Sequence, residues 1–154
     1  MNVKQLLLQQ LAAIYDQDRL FVCFTTAING LDDYEAHYRV DVGQANTIAE
    51  IIHHLNFYNA RFLSRFCGEE VEELPSYYNT FTFDRKVDWR KIEEQSHNTF
   101  RQFRKVILIS SDEKLEKWSD TLGLLWLHNG YHIGQIVQIR KEFGSWSKSP
   151  IVKG

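Results

Sequence analysis

Apolar residues recur at helical spacing in four stretches of the chain. The first predicts one helix over residues 3–27, because apolar side chains return every three or four positions and Asn29-Gly30 follows as a stop signal. A second helix is expected to begin after Thr47 and to end near Phe66. Thr47 and Glu50 have the spacing of a capping box, in which each side chain accepts a hydrogen bond from the other residue's backbone N–H.

The remaining apolar periodicity predicts a third helix over residues 88–109 and a fourth over 119–143, with Gly144 in the stop position. The connection between the second and third helices, 69–88, is longer than usual for helix–helix connections and carries acidic and then aromatic residues. We expect it to be a crossover or a packed functional loop, and we expect the tail 145–154 to be loosely ordered. The pattern predicts an all-α protein.

Two histidines lie inside the apolar run of the fourth helix. His128 and His132 are four residues apart, so their side chains stack along one helix face. At about 100° per residue, several apolar or neutral residues project within about 40° of His132: Thr121, Leu125, Ile136, Ile139 and Phe143. Each imidazole nitrogen that is left unpaired on such a buried face lowers stability by about 1–3 kcal/mol. We therefore expect the two imidazoles to bind a shared partner. We interpret that partner as a metal ion.

A third ligand is available on the second helix, where His53 and His54 are adjacent. His54 projects about 100° from the centre of the apolar stripe, on its flank, whereas His53 projects about 150° away, close to full solvent exposure. From the flank, a side chain can face a cleft between helices. His54 is therefore the better candidate.

Three neutral imidazoles, from His54, His128 and His132, would suit a divalent metal and leave a fourth position open, as in catalytic zinc sites. Nickel and iron also accept imidazole, so the spacing does not name the metal. By spacing alone, an HxxxH pair is as consistent with structural histidines paired to polar neighbours as with metal ligands. Residue 129 is asparagine, so this is not the HExxH motif of a metalloprotease. Gln135, near His132, is more typical of a hydrogen bond within the protein than of a substrate contact.

Gly130 and Gly134 project from the face of the fourth helix opposite the histidines. Each glycine costs about 0.5–1 kcal/mol relative to alanine within a helix, and their spacing permits close approach of another helix. Because apolar residues surround the middle of this helix, we expect it to be central to the fold or to lie at an oligomer interface.

Composition narrows the class of protein. The 154 residues are sufficient for a single domain, here taken as 1–154, and the net charge of −2 gives no basic excess for binding nucleic acid. We find no signal peptide and no run of about 20 apolar residues that could span a bilayer. Cys23 and Cys67 belong to no CxxC motif and are expected to be free thiols. We therefore expect a cytoplasmic protein.

The segment Thr47-Ile-Ala-Glu-Ile-Ile-His-His-Leu-Asn-Phe-Tyr-Asn59, together with His128-Asn-Gly-Tyr-His-Ile-Gly-Gln-Ile136, resembles the DinB/YfiT-like superfamily. The resemblance extends over essentially the whole chain in helix order and spacing. It implies a four-helix bundle with a long crossover connection, usually a homodimer. It also implies a zinc or nickel ion held by His54, His128 and His132.

The resemblance implies two alternative functions. One is a metal-dependent enzyme, such as an S-transferase that uses a low-molecular-weight thiol as cosubstrate, or a hydrolase in which the metal activates water. The other is a non-catalytic, stress-associated, metal-binding dimer. A third interpretation has no metal, with the histidines hydrogen-bonded to tyrosine, asparagine or glutamine.

Overall fold

The computed structural model describes residues 1–40, 45–84 and 86–146. Within these ranges the regular structure is α-helical and no strand occurs, so the predicted all-α class is confirmed. The helices are α1 (Val3–Tyr15), α2 (Phe24–Ile28), α3 (Asp33–His37), α4 (Ile48–Phe66), α5 (Trp89–Ile109) and α6 (Asp112–Phe143). The prediction of a loosely ordered tail falls mostly on residues 147–154, which lie outside the described ranges.

The single helix predicted over residues 3–27 is wrong. The helix α1 ends at Tyr15, and a separate short helix, α2, begins at Phe24. Between them the carboxylate of Asp18 accepts hydrogen bonds from the backbone N–H of Cys23 (2.9 Å) and the hydroxyl of Thr26 (3.1 Å). Aspartate side chains compete in this way with the helical backbone ladder, and here the competition interrupts the apolar periodicity.

The capping box predicted for the second helix is confirmed at the start of α4. The Thr47 hydroxyl accepts from the backbone N–H of Glu50, and the Glu50 carboxylate accepts from the backbone N–H of Thr47. The guanidinium of Arg39 also bonds the Glu50 carboxylate, which fixes it further. Helix α5 begins at Trp89, next to the predicted start, and the Trp89 backbone N–H donates to the carboxylate of Asp33.

Helix α6 begins seven residues before its predicted start at 119. Ser111 caps it by accepting from the backbone N–H of Lys114, and Asp112 and Glu113 place negative charge in the first turn, where the helix dipole favours it. The stop at Gly144 is confirmed, since this residue has a φ of 84° in the left-handed region that glycine adopts without strain. The result is a helix of 32 residues that holds both His128 and His132.

The chain divides into two compact units. The first consists of Met1–Gly30 and the chain from Phe103 onward. Within it α1 and α2 pack on α6, and Arg104 of α5 forms two hydrogen bonds, of 2.7 and 2.9 Å, with the Asp16 carboxylate at the end of α1. The unit's core contains apolar side chains with little or no exposure: Leu7, Leu11, Ile14, Phe103, Ile107, Leu115, Leu122, Leu125, Ile133 and Ile136.

The second unit, Leu31–Gln102, contains α3, α4 and most of α5. A buried polar network joins its two long helices. The Asn56 amide N–H donates to the carbonyl of Ile92 (2.9 Å), and the Ser96 hydroxyl donates to the Asn56 amide oxygen (2.6 Å). Because a buried polar group is costly unless it is paired, this network fixes how α4 and α5 lie against each other.

None of the described helices combines the length and the apolar character needed to cross a membrane.

Candidate metal centre

His128 and His132 project from neighbouring turns of α6. Their ring centroids are 4.7 Å apart and the ring planes are nearly perpendicular, at 89°. His132 is buried, as the projection predicted, whereas His128 is only half-buried.

Gln135 positions the ring of His132. Its amide oxygen lies 2.7 Å from Nδ1 of His132, so Nδ1 carries the proton and donates. In this tautomer the lone pair is on Nε2, which is the ring nitrogen that can bind a metal. Histidine ligands in metalloproteins commonly donate their second N–H to such a partner. The expectation that Gln135 hydrogen-bonds within the protein is confirmed.

His54 of α4 is buried, and residues from the long 67–88 connection surround it. The hydroxyl of Thr80 lies 2.5 Å from Nδ1 of His54, and the ring of Phe81 stacks on the imidazole with centroids 4.1 Å apart and planes 5° apart. The ring edge of Tyr58 approaches from one turn further along α4. An Nδ1–H that donates to Thr80 leaves Nε2 of His54 as the metal-binding nitrogen.

His53 differs from its predicted position near full solvent exposure. It is half-buried, because Phe83 of the same connection stacks on its ring at a centroid distance of 4.8 Å. This burial lowers the pKa of His53 from its usual value. Helix projection did not include the connection, so it overestimated the exposure of His53.

One ligand atom each of His54, His128 and His132 lies within 4.8 Å of the other two, close enough to hold a metal ion. Among the described residues, no other group of three histidine, cysteine or acidic side chains comes together in this way. A tetrahedral zinc ion with bonds of about 2.0–2.1 Å has ligand nitrogens about 3.4 Å apart. The three histidines therefore lie close enough to hold a metal ion, and imidazole nitrogens suit zinc, nickel and other imidazole-binding metals.

The imidazoles on α6 are held in the form that binds metals. Burial, with the nearby His132 as a second cause, lowers the pKa of His128; burial also lowers the pKa of His132, although the Gln135 hydrogen bond opposes it. Only a neutral imidazole has a lone pair for a metal. Both rings are therefore available as ligands at neutral pH.

We expect the pH dependence of zinc affinity to reflect these lowered pKa values. Protons compete with the metal only below the pKa of each ligand, so the affinity should remain constant down to pH values below about 6.5, the ordinary histidine pKa, and decline at lower pH. In metal-free protein, the unfolded state binds more protons in that range, so folding stability should also fall with falling pH. Zinc titrations between pH 5 and 8 test this, and a decline that begins above 6.5 would contradict it.

We expect Thr80→Val to weaken zinc binding by about 10–100-fold, the usual effect of losing a group that orients a metal-binding histidine. Valine keeps the shape of threonine but removes the oxygen that fixes Nδ1 of His54. Thr82→Val is the matched control, because Thr82 is exposed in the same connection. Competition with a chelator of known affinity measures the effect. Equal affinities for the two variants would show that Thr80 does not position His54.

Sequence reasoning did not identify Thr80 or Phe81. They lie more than 20 residues from His54 in a connection without periodicity, so no local spacing linked them to a histidine. The clustering of aromatic residues in that connection was the available signal. The two cysteines are free thiols, with Cys23 buried and Cys67 exposed, and neither belongs to the histidine group.

No protein-family model matches the chain, and comparison with curated proteins and with solved structures gives no match.

Proposed function

We propose that this protein binds a divalent metal ion, zinc or nickel, through His54, His128 and His132. The observation that carries the proposal is the mutual proximity of the three ligand atoms, within 4.8 Å. The hydrogen bond that Nδ1 of His132 donates to Gln135 supports it, because this tautomer gives Nε2 of His132 the metal-binding role. The resemblance to the DinB/YfiT-like superfamily supports the same three ligands, and with them a four-helix bundle of α1, α4, α5 and α6.

We further propose that the protein is a metal-dependent enzyme, either an S-transferase that uses a low-molecular-weight thiol or a hydrolase. Three protein ligands leave one coordination position for a small molecule. A metal ion held by the three histidines would act as a Lewis acid and lower the pKa of a thiol or water bound at the fourth position. The protein's own residues orient these imidazoles, since Gln135 bonds Nδ1 of His132, and the Phe81 ring covers one face of the His54 imidazole.

Metal binding is tested with protein purified without a histidine tag. We expect about one equivalent of zinc or nickel per chain, measured by elemental analysis after loading and gel filtration. His54→Ala should lose the bound metal, whereas His53→Ala, which changes the adjacent histidine on the same helix, should retain it. Equal metal content in the two variants, or none in the wild type, would rule out the proposed ligand set.

The catalytic part has its own test, because a protein can bind the metal without turning over a substrate. Metal-loaded wild-type protein is incubated with a panel of thiols, including glutathione, bacillithiol and mycothiol, and an electrophilic aryl halide or epoxide. Turnover that exceeds that of His54→Ala would support the S-transferase. A loaded protein with no turnover of the thiol panel or of ester substrates would instead support the non-catalytic metal-binding protein.

A further inference from the structure

A second concave feature lies on the first unit, formed by α1, the segment that follows it and α6. It is a cavity of about 560 Å³ that opens to solvent. Apolar side chains form its walls, and three of them are largely exposed: Leu124, Leu127 and Tyr131. Its volume falls within the range of about 300–1,000 Å³ that is usual for small-molecule sites.

Two glycines of α6 lie along this cavity. Gly123 and Gly130 both line it, and among the described residues a Cβ atom added to either would meet nothing within 4 Å beyond the adjoining helix backbone. The spacing of Gly130 and Gly134 was predicted to permit close approach of another helix, and within the described part of the chain the space beside both glycines is open. A glycine within a helix costs about 1 kcal/mol relative to alanine. At Gly123 and Gly130, the residues that carry this helix-propensity cost are also the residues that border the cavity.

Trp126, one of the lining residues, carries a buried indole nitrogen without a hydrogen-bond partner among the described residues. Its side chain is only 3% exposed. An unpaired buried donor costs about 1–3 kcal/mol, so such groups are rare in folded proteins. A ligand that brings an acceptor into the cavity would remove this cost.

The charge at the cavity further limits the ligand. Asp120 lines it together with the neutral residues Gln10 and Ser119, and no lysine or arginine of the described part of the chain does. A carboxylate without a basic partner disfavours anions. The apolar walls equally disfavour a small, strongly hydrated cation.

We propose that this cavity binds an uncharged, mostly apolar small molecule whose carbonyl or ether oxygen accepts a hydrogen bond from the indole N–H of Trp126. This binding site is separate from the histidine group and does not depend on a metal. An aryl ketone or ester of two fused rings has the matching chemistry, because its flat apolar surface contacts the walls while one oxygen reaches the donor.

The experiment uses the full chain and a neutral fluorescent ketone, 6-propionyl-2-(dimethylamino)naphthalene. We expect saturable binding with a blue-shifted emission and a dissociation constant in the micromolar range. Gly130→Leu should weaken binding by at least tenfold, because the added side chain fills the cavity. Gly134→Leu is the matched control: Gly134 is on the same helix with equally open space but does not line the cavity. Both variants should keep the helical circular-dichroism spectrum and zinc binding.

The hydrogen bond is tested with Trp126→Phe and a second probe, 2-(dimethylamino)naphthalene, which lacks the ketone. The substitution should weaken binding of the ketone by about five- to tenfold, the usual worth of one hydrogen bond, and leave the second probe unaffected. Equal effects on both probes, or equal ketone binding by Gly130→Leu and Gly134→Leu, would overturn the assignment. So would a dimer that Gly130→Leu disrupts and Gly134→Leu does not, because a second copy of the chain would then occupy the cavity.

Discussion

His132→Ala is expected to lower the affinity of the protein for Zn²⁺ by about 100–1,000-fold. Zinc sites of four ligands have binding free energies of about 10–16 kcal/mol, or about 2.5–4 kcal/mol for each ligand, and a factor of ten corresponds to about 1.4 kcal/mol. The substitution removes one of three imidazoles and leaves α6 otherwise intact, since alanine is the best helix former. Competition titration against a chromophoric chelator measures the change.

Two further substitutions serve as comparisons for His132→Ala. Gln135→Ala should cost less, about 10–100-fold, because it removes only the acceptor that orients His132. His97→Ala should leave the affinity unchanged, since His97 is outside the group of three. If His132→Ala bound zinc as tightly as His97→Ala, the metal would not be bound by the α6 pair.

The second large effect concerns stability. Arg140→Ala is expected to lower the free energy of unfolding by about 2–4 kcal/mol, because the buried carbonyl of Ala27 and the part-buried carbonyl of Asn29 would lose their donor, at about 1–3 kcal/mol for a fully buried group and less for a part-buried one. The guanidinium of Arg140, only 6% exposed, donates to the carbonyls of Ala27 (2.9 Å) and Asn29 (2.8 Å) at the end of α2. It also donates to the carbonyl of Ser145, which follows α6. Arg140 thus holds the short helix α2 to the long helix α6.

Urea denaturation measures this effect as a shift of the midpoint at constant slope. Lys141→Ala is the control, because Lys141 is exposed beside Arg140 and should change stability by no more than about 0.5 kcal/mol. Arg140→Lys should be intermediate, since an ammonium group keeps the charge but cannot reach several acceptors in a fixed plane. A loss below 1 kcal/mol for Arg140→Ala would show that water replaces the guanidinium at the α2 carbonyls.

The parts of the fold that the sequence predicted correctly depend on residues close together in the chain. The capping box of Thr47 and Glu50 and the glycine stop at Gly144 act within one turn of the helix. The break after Tyr15 also has a short-range cause, because the Asp18 side chain hydrogen-bonds Cys23 and Thr26 in place of a continued helix. The spacing of apolar residues alone does not show that these hydrogen bonds are favoured over the helix.

The candidate site also contains residues that short-range geometry predicted and residues that it did not. Helix geometry alone placed His128 and His132 on one face and ranked His54 above His53. The groups around His54, by contrast, come from a connection whose path is set by tertiary packing, so Thr80 and Phe81 were beyond prediction. The glycines of α6 were predicted to permit close approach of another helix, and among the described residues the space beside Gly130 is open.

The central claim is that three imidazoles share one metal ion, and X-ray absorption spectroscopy of the zinc-loaded protein tests it most directly. We expect a first shell with three histidine nitrogens at about 2.0–2.1 Å, and the multiple-scattering signature of imidazole should fall by one ring in His54→Ala. A first shell with fewer than three imidazoles, or with sulfur from a cysteine, would contradict the claim.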